Sequence, residues 1–156
     1  MRVEAYEGRT PKLDLRQYLN GDIEASGVFI NRAGMVTEQF HVAMKGTWTG
    51  NDGRLEEYFT YMDGRKDERI WAIRFTDDHH FTATAHDVDG QATGAQFGNA
   101  VNLRYRLRVP FRGRTIGISM DDWMYLMDGQ TLINRTVMRK FGFRVGELLI
   151  TFRKKQ

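Results

Sequence analysis

Three carboxylates and two arginines stand in apolar, alternating runs where a solvated charge is out of place. Side chains two apart on a strand share a face. On that rule Glu57 lies with Leu55, Phe59 and Tyr61, Arg69 with Trp71, Ile73 and Phe75, and Asp87 with Phe81, Ala83 and Ala85. The run "MDDWMYLMDGQTLINR" (Met120 to Arg135) reads as a hairpin turning at "DGQT". That turn sets Met124 opposite Arg135 and Leu126 opposite Ile133, so that Asp122 reaches Arg135 diagonally on the inner face. Asp121, Trp123 and Tyr125 then face outward, and a slip of one residue exchanges the two sets.

Such residues support more than one chemistry. Asp122 and Arg135 can satisfy one another structurally, since a buried charge needs a partner. Alternatively, Arg135, steered by Asp122, offers a planar donor fork to a carboxylate or phosphate head inside a cavity; in a third reading Asp122 is itself an acid or base. Glu57 and Asp87 are a carboxylate pair for acid–base work if the fold brings them close, and otherwise partners of a nearby arginine such as Arg69. Met124, with Met120, Met127 and Met138, suits an adaptable apolar lining as well as a packed core.

Other chemistries are excluded or weak. The chain has no cysteine, so thiolate ligands, disulfides and thiol nucleophiles are absent. Its histidines, His41, His79, His80 and His86, offer no third metal ligand at a sensible spacing. No glycine-rich loop joins a strand to a helix as a phosphate cradle would, and no Ser-His-Asp order is legible. No cofactor or metal is expected.

The elements that must position these residues are almost all strands. Period-two patterning broken by Gly, Asp and Asn turns predicts strands at 22–31, 35–48, 54–62, 69–76, 81–88, 91–97, 101–109, 115–127, 132–139 and 145–154. Only "PKLDLRQYL" (Pro11 to Leu19) reads as helical, with Thr10 as N-cap and Pro11 in the first position. The connections are short, so successive strands pair antiparallel. An open sheet of this size leaves two edges, and closure removes them. The expected fold is therefore all-β, an up-and-down antiparallel barrel of about ten strands with a short N-terminal helix, forming a single domain over 1–156.

The chain carries a formal charge of +3, concentrated in "RYRLRVPFRGR" (Arg104 to Arg114) and "FRKKQ". Arg104, Arg106 and Arg108 alternate with Leu103, Tyr105, Leu107 and Val109, the pattern of a wall with one solvated face; an anionic membrane surface is the alternative partner. Nucleic acid is not expected, because neither a recognition helix nor paired stacking aromatics are present. With no apolar N-terminal segment and no run long enough to span a bilayer as a helix, the chain as given reads as soluble and cytoplasmic.

The pieces "LDLRQYLNG", "GVFINRAG", "GTWTG", "RIWAIR", "HDVDGQATG", "DDWMYL" and "LINRTVMRKFGFRVGE" together resemble a bacterial family known only as a domain of unknown function, DUF3833. The resemblance spans nearly the whole chain. It implies a calycin- or lipocalin-like barrel and a genetic neighbourhood concerned with fatty-acid modification, and it implies no known activity. Many members look like lipoproteins with an export signal and a lipidated cysteine, so a periplasmic location follows if such a segment has been trimmed. Together, residues and resemblance point to a barrel that binds a small hydrophobic ligand, a fatty acid or related lipid, with Arg135, Asp122, Glu57, Arg69, Trp71, Asp87 and Met124 as its site. A lipid-modifying enzyme using the buried carboxylates, or a non-catalytic partner of a membrane-lipid enzyme, are the alternatives.

Overall fold

Burial alternates residue by residue along the strands: β2 (Val36–Thr49) buries Phe40, Val42 and Met44 and turns His41, Ala43 and Lys45 outward. Repeated from strand to strand, that pattern gives a sheet with one apolar face, which closes so that the face becomes an interior. The structure, a computed structural model, describes residues 2–155. Its strands are β1 (Gly21–Asn31), β2, β3 (Asp52–Tyr61), β4 (Lys66–Phe75), β5 (His80–Thr84), β6 (Val88–Phe97), β7 (Ala100–Phe111), β8 (Arg114–Leu126), β9 (Thr131–Lys140) and β10 (Phe143–Lys154). Each pairs antiparallel with its neighbours in sequence, and β1 pairs with β10 to complete a closed ten-stranded up-and-down barrel.

One end of this barrel is plugged by the N-terminal segment, and here the sequence reading needs correction. The helix is a single turn, α1 (Leu15–Tyr18), capped by Asp14, whose side chain accepts from the Arg16 N–H at 3.0 Å. Thr10 and Pro11 do not start it. Leu13 instead runs extended and donates its N–H to the Gly98 carbonyl at 2.8 Å, and a 3-10 turn at Val3–Tyr6 precedes it. Leu13, Leu15, Tyr18 and Leu19 seal the floor. Gly46 permits this, since a Cβ there would lie 1.4 Å from the Leu19 carbonyl oxygen.

A second correction concerns β5 and β6. The turn lies at residues 85–87, not at Asp89-Gly90; Gly90, at φ +67°, belongs to an irregularity between Asp89 and Thr93 in β6. Asp87 is therefore a connection residue at the barrel's open end instead of a member of the Phe81–Ala85 face.

The third correction is the register of the hairpin β8–β9. Asp128 accepts from the N–H groups of both Gln130 and Thr131, at 2.8 and 2.7 Å, and the loop closes with Leu126 opposite Leu132, not Ile133. Every partner shifts by one: Asp122 faces Thr136, Met124 faces Asn134, and Arg135 lies opposite Trp123 on the outer wall. Asp122 keeps its inward direction and Arg135 loses it.

Candidate functional site

The interior is not filled. A cavity of about 300 Å³ runs from the plug toward the open end, at the small end of the range for ligand pockets. Its wall is mainly apolar, with Phe40, Leu55, Phe59, Ile73, Leu103 and Met124 among the contributors. Glu57, Arg69, Trp71, Tyr105, Asp122 and Thr136 converge on it from β3, β4, β7, β8 and β9.

Arg69 is the hub. Its Nε and Nη2 donate to the Asp87 carboxylate at 2.9 and 2.7 Å, and its Nη1 lies 3.9 Å from Glu57 Oε1. The ring of Phe59 lies 5.6 Å from the guanidinium carbon. Of the two alternatives the sequence offers for these carboxylates, this is the pairing with Arg69, which Asp87 reaches from the turn at 85–87. Glu57 and Asp87 thus flank and share one cation, the alternative to a free carboxylate pair.

Glu57 also accepts from Trp71 Nε1 at 3.1 Å. Burial dominates its proton affinity and raises its pKa, opposed by the Arg69 charge and the Trp71 bond. For Asp87 burial acts in the same sense but the Arg69 bonds prevail, and its pKa is lowered. Arg69 loses hydration on burial, yet Asp87 and Glu57 hold its charge firmly in place.

Across the cavity, Asp122 accepts from the Thr136 hydroxyl and is hydrogen-bonded by Tyr105. Burial pushes its pKa up to about 7, and the Glu57 charge adds to the rise against those hydrogen bonds and Arg69. Tyr105 is held in its neutral form, primarily by burial and then by the Asp122 charge. Its ring meets Trp71 edge-on at 5.3 Å. The site thus holds Glu57, Asp87 and Asp122 against a single cation, Arg69, and burial raises the pKa of Glu57 and Asp122.

Of the residues the sequence singled out, Glu57, Arg69, Trp71, Asp122 and Met124 line the cavity, and Asp87 is joined to it through Arg69. Arg135 does not belong: its side chain is 56% exposed on the outer wall, 3.1 Å from Glu147. Trp123 and Tyr125 lie outside as expected, against Tyr6 of the N-terminal turn, with the Tyr6 and Tyr125 hydroxyls 3.2 Å apart. Asp121 accepts from Asn102 Nδ2 at 2.8 Å on the same outer surface.

Sequence reasoning missed Tyr105, Thr136 and Asn134. Tyr105 stood in the run whose arginines drew attention, and its inward parity was legible there. Thr136 turns inward only in the observed register, in which it lies opposite Asp122. Along the wall, Arg104 pairs with Asp121, and Arg106 and Arg108 with Asp89, so this stripe is a partly neutralised sheet face.

The model of a family described as "Protein of unknown function (DUF3833)" matches residues 1–154. No curated protein matches the chain. Among solved structures, an S-type phycobiliprotein lyase, CPES, from Guillardia theta is similar with a TM-score of 0.68 at 10% identity, over 100% of this chain and 99% of the lyase. A de novo designed fluorescence-activating β-barrel has a TM-score of 0.48 at 13% identity, over 92% of this chain and 99% of the design. The lyase likeness is one of fold.

Proposed function

The chain belongs to the DUF3833 family, and from that premise we propose that the protein binds one small hydrophobic ligand, a fatty acid or related lipid, inside the barrel. The observation that carries this reading is the apolar cavity with its polar groups gathered on Arg69, Glu57, Tyr105 and Asp122. Apolar surface withdrawn from water supplies the affinity, at about 25 cal/mol per Å², and the polar cluster orients the head.

The electrostatics refine the ligand class. Arg69 is already engaged by Asp87 and Glu57, so a free carboxylate entering beside Asp122 adds charge where acids already outnumber cations. A neutral head, such as an alcohol, an amide or a protonated acid, meets no such cost. A fatty acid bound as its anion must bring a proton with it, to Asp122 or Glu57. Its affinity therefore rises as pH falls through about 7, the value to which burial raises Asp122.

The test is native mass spectrometry of protein purified without detergent, followed by organic extraction of what is bound. A defined lipid, displaced in a Leu103→Trp variant that fills the cavity, supports the reading. A mass corresponding to protein alone, unchanged after incubation with fatty acids, alcohols and amides, overturns it.

A second reading has its own support. A carboxyl group with a pKa of about 7, bonded to Tyr105 and Thr136 and opening on a cavity, is suited to proton transfer at neutral pH. Asp122→Asn separates the two readings: a binding protein keeps its ligand, whereas an enzyme keeps binding and loses turnover of the extracted lipid. A filled interior would have favoured the non-catalytic partner reading, and the cavity does not supply that support.

A further inference from the structure

At the open end the barrel presents its hairpin tips, and three that adjoin one another, β7–β8, β9–β10 and β1–β2, differ in composition from the rest. Segments 109–114, 139–146 and 31–37 contain Arg112, Arg114, Arg139, Lys140, Arg144 and Arg32 and no Asp or Glu. Between these cations stand exposed apolar side chains. Phe141 is 85% and Phe143 71% exposed, and Met35, Val36 and Phe111 are exposed beside them. Apolar groups ringed by cations, with no acid among them, match a surface with hydrocarbon beneath anionic headgroups.

The backbone agrees. The tips of β7–β8 and β9–β10 are two-residue turns, Arg112-Gly113 and Phe141-Gly142, in which both central residues have positive φ. Asn, Asp or Gly fit such first positions, and a bulky residue there is an outlier. Phe141, at φ +52°, occupies the position least suited to it while turning its ring into solvent, which folding alone does not favour.

The tips also stand where they would matter. Val109, Met138 and Leu148, directly below them on β7, β9 and β10, line the cavity. The neighbouring β3–β4 tip is mixed in charge, with Asp63, Arg65, Lys66 and Asp67, and Arg65 pairs with Asp63 and Glu38. Arg104, Arg106 and Arg108 lie on the wall and are paired there, and Arg144 pairs with Glu147 at 2.9 Å, so the available cations are Arg32, Arg112, Arg114, Arg139 and Lys140 of the tips.

We propose that the β7–β8, β9–β10 and β1–β2 tips form a docking surface for an anionic lipid bilayer, with Phe141 and Phe143 inserting among the headgroups and the mouth of the barrel held against the membrane. This surface does not depend on which ligand the cavity takes.

The test is co-sedimentation with vesicles of phosphatidylcholine alone and of phosphatidylcholine with phosphatidylglycerol. The protein is expected to bind the anionic vesicles, weakly or not at all the neutral ones, and to be released as salt shortens the screening length. Phe141→Asn should lower partitioning about tenfold or more, the loss expected for one buried aromatic ring. Arg112→Ala and Arg114→Ala should each lower it by about fivefold, the usual contribution of one cation at such a surface.

Phe141→Asn also discriminates, because Asn suits positive φ: a purely structural role for Phe141 predicts a less stable variant, and the docking role predicts unchanged or greater stability with binding lost. Failure to bind either vesicle overturns the proposal, as does unchanged binding by Phe141→Asn. Self-association that Phe141→Asn abolishes, without vesicle binding, would instead make the tips an interface between two copies. Ligand extraction from Phe141→Asn reads the cavity independently, so failure here and failure of the binding reading remain distinguishable.

Discussion

At the plugged end, Leu13, Leu15, Tyr18 and Leu19 are buried, whereas at the mouth Phe111, Phe141, Phe143 and Met62 stand in solvent. The plug is bonded from several sides. Buried Gln96 accepts from the Leu15 N–H at 3.0 Å and donates to the Asp78 carbonyl at 3.0 Å; Trp48 Nε1 donates to the Leu19 carbonyl at 3.2 Å; Lys154 Nζ donates to the Tyr18 carbonyl at 2.8 Å. The tips around the plug carry Asp52, Asp77, Asp78 and Asp128, the reverse of the basic mouth. The same hairpin architecture thus serves stability at one end and leaves apolar surface unused by folding at the other. Apolar surface that folding does not use is the usual mark of a contact made with something else.

The sharpest way to break this contrast is to alter one small residue at each end. Gly46→Ala forces a methyl group into the Leu19 backbone, so the plug must shift and its bonds open together. A loss of about 3 kcal/mol or more in denaturant unfolding is expected, with the cavity opened at its floor. Phe143→Ala at the mouth removes a much larger group, yet should change stability by less than about 0.5 kcal/mol. Comparable losses in the two variants would show that the mouth tips are structural after all.

Between the ends lies Arg69. Arg69→Met keeps the stem and removes the charge, leaving Asp87 and Glu57 without their shared partner in a largely buried place. Breaking such a group costs about 3 kcal/mol. Because the orphaned carboxylates can escape by protonating, the deficit should shrink as pH falls and be largest above neutrality. A deficit independent of pH would point to lost packing.

Asp122 tests the same cluster with the opposite sign. Its pKa is raised by folding to about 7 from an ordinary carboxylate value of 3.8. The folded state therefore holds its proton more tightly, and stability falls as pH rises between those values and is flat above them. Asp122→Asn, neutral at every pH, should be more stable than the parent at pH 8 by about 1–2 kcal/mol, after allowance for its poorer fit to two hydroxyl donors. The advantage should vanish about one to two pH units below 7 and reverse by about pH 4, where Asp122 carries its proton and only the poorer fit of Asn remains. An acid retained against its own stability cost is the pattern expected of a site kept for binding or chemistry.

How legible this was in the sequence depended on range. Alternation is local, and it gave the ten strands, the closed sheet and the inward direction of Glu57, Arg69, Trp71 and Asp122 from residues alone. The plug was less legible, because Leu13 and Leu15 are held by partners far away in sequence, Gly98 and Gln96, and helix propensity gave no sign of them. Asp87 was placed on a face when it lies in a turn, since "DG" at 89–90 is the stronger turn signal and here marks an irregularity within β6. The pairing of Glu57 and Asp87 with Arg69 was legible as one alternative, whereas the part played by Tyr105 and Thr136 around Asp122 was not.

Arg135 shows how small a cause separates an anchor from a surface residue. A four-residue loop fixed by the Asp128 side chain, where a different closure was read, moves it across the wall. On the outside it faces Glu147, which also takes Arg144 at 2.9 Å, and with more than half its side chain in water the pair is screened and contributes little. Arg135→Ala is therefore expected to change stability by less than about 0.5 kcal/mol and to leave affinity for the extracted ligand unaltered. Denaturant unfolding of the variant checks the first, and isothermal titration beside Arg69→Met checks the second. Weakened binding in Arg135→Ala with Arg69→Met unaffected would mean that the ligand is held on the outer wall of β9 and β10, and the cavity would cease to be the site.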